Sequence, residues 1–242
     1  MQSLSQQDDR QLGGPVSVLV RQKRDHERLD QLLHELGAAA PGDRQDEVLQ
    51  KINRLVFPHA FAEEAVLWPT LRRVLPDGEA LTTRVEEEHQ EVNELVVSLE
   101  ETPGGPERQR LLDRLVVVLR EDVRDEEDEL LPRLQEAVDG PTLRRLGIAW
   151  EALRRTAPTR PHPVVARRPP GNALAALPLS LLDRSRDALD RVARARDGRP
   201  GRAAGTVSGG LARLAGRVEQ LPPMRRGEDP STRTGDGPTG RR

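Results

Sequence analysis

Residues 25–71 of this chain repeat at 88–134 with one constant offset of 63 and no gap. Asp25 and His26 fall on Glu88 and His89, and Leu29, Leu32, Leu33 and Leu36 fall on Val92, Leu95, Val96 and Leu99. Further on, His59, Glu63, Glu64, Leu67, Pro69 and Leu71 fall on Asp122, Glu126, Glu127, Leu130, Pro132 and Leu134. Any two amphipathic helices share leucines at such spacing, but they do not share polar residues and a proline as well. The chain is therefore built of two related halves, and its fold has to relate them by a pseudo-twofold axis.

Apolar residues recur at helical spacing in four segments, and none alternates as a strand would. The first helix follows Gly13, Gly14 and Pro15 and ends at Gly37, with Leu19, Gln22, His26, Leu29, Leu33 and Leu36 facing inward. The second runs from about Asp43 to Val74 and is stopped by Pro76, Asp77 and Gly78. The third spans about Glu79 to Glu101, and the fourth about Glu107 to Val138. Short connections between long helices make neighbours antiparallel. The expected fold is all-α: an up-and-down antiparallel four-helix bundle of two pseudo-symmetric helical hairpins, with a mostly disordered C-terminal tail. Pro58, immediately before His59, allows two outcomes equally, a kink or local widening of the second helix or simple tolerance of the ring.

Composition sets the domain boundaries. Residues 1–156 hold 21 Lys and Arg against 32 Asp and Glu, whereas residues 157–242 hold 17 against 8. The second region also carries eleven of the 20 prolines and eleven of the 20 glycines. The expected organisation is a flexible N-terminus over 1–13, a bundle with a short extra helix over 14–156, and a basic, largely disordered tail over 157–242. Within the tail, 172–196 and 211–221 have the pattern of short helices. Opposite charge balances allow the tail to fold back on the acidic bundle; nucleic acid, an anionic surface or an acidic protein are its other conceivable partners.

Residues four apart share a helix face, so His59 with Glu63 and Asp122 with Glu126 each aim two donors in one direction. That direction is inward, as it is for His26 and His89. Burying these six ionisable groups without compensation would cost an amount comparable to the whole stability of a domain, about 5–15 kcal/mol. No inward Lys or Arg is placed to neutralise them, and a divalent metal does so economically, with the two glutamates able to bridge two ions. The chain has no cysteine, which excludes thiolate ligands and disulfides and leaves iron, manganese or zinc bound through imidazole and carboxylate. Glu64 and Glu127 point about 100° away from this face and are read as supporting or solvated residues. His34 suits the C-terminal end of the first helix, and His162, among prolines, is read as unrelated to the site.

The segments DHERLDQLL, FPHAFAEEAVLWP, EHQEVNELV and EDVRDEEDELLP resemble the hemerythrin-type HHE cation-binding domain over about residues 14–138. The family pattern falls on His26, on His59 and Glu63, on His89, and on Asp122 and Glu126, with Asp122 standing where the family usually has histidine. The resemblance implies a carboxylate-bridged centre of two irons, or one as the alternative, that handles dioxygen, nitric oxide or peroxide, or senses iron. Asn93 stands where oxygen-carrying hemerythrins have a further histidine, which argues against reversible dioxygen transport. Binding or sensing by a cytoplasmic protein leads, with an unidentified protein partner for output. A di-iron peroxidase or oxidase and a metal-free interaction module are the competing classes.

Overall fold

Ser17 begins the first helix: its hydroxyl accepts a hydrogen bond from the Leu19 amide at 3.3 Å, and α1 (Val18–Ala38) follows. The computed structural model describes residues 2–195 and 199–227. The helix starts beyond Pro15 because a serine side chain can cap an exposed amide and proline cannot. Gly13 and Gly14, at φ of 91° and 89°, turn the chain ahead of it. A second rod is formed by α2 (Asp43–Ala62), a π-helical turn (Glu63–Leu67) and α3 (Trp68–Val74). The third rod is α4 (Gly78–Glu101). The fourth is α5 (Gly105–Asp125), another π-helical turn (Glu126–Leu130) and α6 (Leu131–Ala137). Among the described residues the structure is helical, with no strand.

The two π turns occupy equivalent places in the repeat. In each, a backbone amide bonds five residues back: Trp68 to the Glu63 carbonyl and Leu131 to the Glu126 carbonyl. Pro58 is not their common cause, since its counterpart in the fourth rod is Glu121, and both rods widen. What they share is Pro69 and Pro132 just after the turn. Neither proline has an amide for the carbonyl four residues back, and the wider register replaces the α register around that lost bond.

Apolar burial is divided into two clusters along the rods. One gathers Leu19, Leu67, Trp68, Leu71, Val85, Leu130 and Leu134, and the other Leu29, Leu33, Ile52, Val92, Val96, Leu115 and Leu119. Between them, mid-rod, lies a layer of buried polar side chains. The N-terminal residues, expected to be flexible, supply Leu4 and Leu12 to the first cluster, both fully buried.

The expected short extra helix is α7 (Gly140–Thr156), capped by Asp139, whose carboxylate accepts from the Thr142 amide at 2.9 Å. It packs on α1 and α2 and buries Leu143 and Trp150. The tail contains helices where the pattern placed them, at 172–196 and 211–221, the second starting earlier than expected, and its described residues are more regular than its composition suggests. It forms α8 (Gly171–Ala195) and α9 (Arg199–Glu219), a hairpin with its own small core of Val165, Ala175, Leu179 and Ala215. Composition misleads here because alanine and leucine at helical spacing offset the glycines and prolines. The hairpin lies back on the bundle: Arg167 donates to Gln90 at 2.6 Å, Arg168 to Glu86 at 2.8 Å, and Arg54 to Asp187 at 3.0 Å. Residues 228–242 of the tail lie outside the described residues. None of the described helices is long and apolar enough to cross a membrane.

Gly147 lets α7 approach the start of α1, where an added Cβ would collide with the Val16 carbonyl and come within 2.8 Å of the Val18 amide nitrogen. Gly147→Ala is expected to destabilise the protein by about 1–3 kcal/mol in chemical denaturation. Gly205→Ala, in open space on α9, is expected to stabilise by up to about 1 kcal/mol. Equal effects at the two positions would refute the close contact.

Candidate metal centre

Four rods each contribute to the polar layer: His26 from α1, His59 and Glu63 from the second rod, His89 from α4, and Asp122 and Glu126 from the fourth. All six are buried. They divide into two donor groups that share a residue. His26, His59, Glu63 and Glu126 form one, and His89, Asp122 and Glu126 the other, with the donor atoms of each group within 4.8 Å of one another. Glu63 also reaches the second group, its Oε2 lying 3.7 Å from His89 Nε2.

These atoms crowd without pairing well. His26 Nε2 lies 3.1 Å from Glu126 Oε2, and His59 Nε2 lies 3.1 Å from Glu63 Oε1. Yet His26 Nε2, both Glu63 oxygens, Asp122 Oδ1 and Glu126 Oε1 are buried without a hydrogen bond of acceptable geometry. Buried polar atoms are seldom left so, and converging lone pairs of imidazole and carboxylate form a donor set that iron, zinc or manganese accepts.

Each histidine turns its other ring nitrogen to a carboxylate outside the layer. His26 Nδ1 donates to Glu127 at 2.9 Å, His89 Nδ1 to Glu64 at 2.9 Å, and His59 Nδ1 to Asp25 at 3.2 Å. Such contacts fix the tautomer and leave Nε2 free to face inward. Glu64 and Glu127 are thus supporting residues, reaching across from one hairpin to the histidine of the other. Asp25 plays the same part within its hairpin, a role signalled in the sequence only by its repeat partner Glu88. Trp150 meets His59 edge-on at 5.3 Å, and Trp68 stacks on His89 at 6.4 Å. Trp150 and the neighbouring Arg154, 3.5 Å from Asp25, lie beyond the repeat, where no pattern points to them.

A profile of the hemerythrin HHE cation binding domain matches residues 18–134. Over those residues, just under half of its length, the chain is similar to the hemerythrin HHE domain. An uncharacterized hemerythrin-like protein of Schizosaccharomyces pombe is 24% identical over 135 residues, which cover 55% of this chain and 66% of the relative, just under two thirds of its length. No solved structure matches the chain.

Two other histidines of the chain stand apart from the polar layer of the four rods. His34 is exposed and donates to the Asp30 carbonyl at 2.8 Å. His162 is buried but pairs with Asp183 at 3.0 Å in the tail, while its amide donates to Asn93 Oδ1 at 3.0 Å. Asn93 in turn donates to the His89 carbonyl at 2.9 Å, so the residue one turn after His89 anchors the hairpin instead of facing the centre.

Electrostatics within the polar layer follow from this crowding. Burial alone would strip protons from the imidazoles, but the carboxylates outweigh it. His26 is pushed up to about 9 by Glu126 and Glu127, and His89 to about 10 by Asp122, Glu64 and Glu63. His59 also rises well above its ordinary value, through Glu63 and Asp25. Glu63 is held low despite its burial by His59, His89 and His26. Burial raises Asp122 and Glu126, reinforced by repulsion from Glu126 and Glu63 respectively.

Groups whose folded-state affinity for protons is raised favour the folded chain below their ordinary values and lose that contribution as pH climbs through the folded values. For the chelator-treated protein, thermal stability is expected to fall steadily from about pH 6.5, the ordinary histidine value, through the range of about 9 to 10 set by His26 and His89. His89→Gln is expected to flatten the decline. A midpoint that holds constant or rises over that range would contradict the assignment.

Proposed function

We propose that this HHE-like domain binds two metal ions, iron being the expected element, and presents them to a small diatomic or peroxide ligand. One position is held by His26, His59, Glu63 and Glu126, and the other by His89, Asp122 and Glu126, with Glu63 in reach of both. The observation that carries this reading is the pair of donor groups meeting on Glu126, with five buried donor atoms of the two groups lacking a hydrogen-bond partner. In this reading the four rods are the family's up-and-down bundle, and Glu64, Glu127 and Asp25 hold the imidazoles. When bound, iron supplies Lewis acidity and redox capacity toward dioxygen, nitric oxide or peroxide.

The chain's own residues prepare a place for such a ligand. A cavity of about 20 Å³, lined by His26, His59, His89 and Asp122 with Leu29 and Leu119, opens beside the layer. That is room for about one water-sized group. Gln22, one turn before His26 and outside the lining of that cavity, is also fully buried with both amide atoms unpartnered. The donor groups are unequal. With Asp122 in place of an imidazole, the second position has two carboxylates, as the first does, but one imidazole instead of two, and only three donors close together. We assign it the weaker hold and the greater reactivity, which favours peroxide turnover as a second reading.

Metal analysis of protein from iron-replete cells, with visible spectra under air, reduction and nitric oxide, tests the proposal. About two irons per chain are expected, and less than about half a metal per chain under every condition would leave the metal-free interaction module as the reading. Glu64→Gln is expected to weaken one iron position by roughly 10–100-fold while leaving the other in place. Asp122→His is expected to tighten the second position and to suppress peroxide turnover. Unchanged stoichiometry, spectrum and reactivity in that variant would remove the asymmetry from the proposal.

A further inference from the structure

Five arginines from three helices face one open cleft of about 490 Å³ where the hairpin meets the bundle. Arg54 comes from α2, Arg154 and Arg155 from the end of α7, and Arg184 and Arg191 from α8. Asp187 is the only carboxylate in the lining among the described residues, and it is already engaged: Arg54 Nε reaches it at 3.0 Å and Arg160 at 2.9 Å from its other side. Arg154 and Arg155 are held from behind by Glu151, at 3.2 Å and 2.7 Å. The remaining two give their hydrogen bonds to neutral oxygens. Arg184 donates to Ser180 Oγ at 3.0 Å and to the Arg155 carbonyl at 2.7 Å, and Arg191 to the Asp187 backbone carbonyl at 3.2 Å. Arg54 Nη2 is buried with no partner.

Five of the chain's 38 Lys and Arg side chains thus converge on one concavity, where like charges repel. Guanidinium forks match the paired oxygens of phosphate, several at once when the anion carries several charges. The volume falls within the range of small-molecule sites, roughly 300–1,000 Å³, and a single orthophosphate would leave most of it empty. We propose that this cleft binds a small polyphosphate-bearing anion, held between the bundle and the hairpin by Arg54, Arg184 and Arg191. The cleft exists only with α8 seated on the bundle, so the ligand clamps the two together. Arg154 stands both in the cleft and 3.5 Å from Asp25, the partner of His59. The site stands independently of the metal reading.

Calorimetric titration of the full chain with inorganic tripolyphosphate and with ATP, at matched ionic strength, tests the site. Saturable binding of one ligand per chain is expected. Equal affinities assign the phosphate chain alone, and tighter ATP binding assigns a nucleotide; both support the cleft. The double variant Arg184→Gln with Arg191→Gln is expected to weaken binding at least tenfold. A charge-matched control, Arg120→Gln with Arg124→Gln at exposed positions of α5, which lines no part of the cleft, is expected to leave it unchanged, with folding of both verified by circular dichroism. Absence of saturable binding at millimolar ligand, or equal losses in the two double variants, would overturn the proposal.

Discussion

Three imidazoles and three carboxylates share a buried space at the middle of the rods, between the two leucine-rich clusters. Everything nearby is arranged around that crowding. The two apolar clusters lie on either side of it, so the helices are held together above and below while the polar layer itself contributes little packing. The glutamates that reach deepest, Glu63 and Glu126, open the two π turns, where each rod departs from the α register. Protonated imidazoles against carboxylates keep the metal-free layer tolerable, since an unpaired buried charge costs several kcal/mol. A cation in that space would displace those protons, which couples binding to pH.

Much of this was legible from residue order because helices translate spacing into direction. The gap-free repeat, the four rods and the inward aim of the six donors all follow from a period of about 3.6 residues. The rods match the expected ranges within a few residues, and the six donors come together. Local register was less accessible. Pro58 was where the sequence allowed a widening that belongs instead with Pro69 and Pro132, because a proline's effect depends on which carbonyl loses its partner. Tertiary contacts were least accessible: Trp150 on His59, Arg154 by Asp25 and the docking of the tail join positions far apart in sequence, with no periodicity between them. The tail's helices were visible as pattern at 172–196 and 211–221 even though its composition pointed to disorder. Its glycines and prolines are numerous, yet Pro178 is accommodated within α8 and Gly205 within α9.

The hairpin changes what the basic C-terminal region has available for other partners. Arg167 and Arg168, two of its cations, are directed to Gln90 and Glu86 of α4. Asn93 joins the hairpin to the helix turn that bears His89, through one hydrogen bond in each direction. The region is thus attached to the same helix that presents His89 to the polar layer, and movement of α4 and seating of the hairpin are mechanically linked.

The supporting contacts also follow the two-half organisation of the chain. Glu64 of the first half holds His89 of the second, and Glu127 of the second holds His26 of the first; both crossed pairs consist of the same residue types. The pair confined within a hairpin, Asp25 with His59, has become Glu88 with Asp122 in the other half. A hairpin taken alone lacks the carboxylate partner of its first histidine, so the crossed contacts are a joint that neither half can complete by itself.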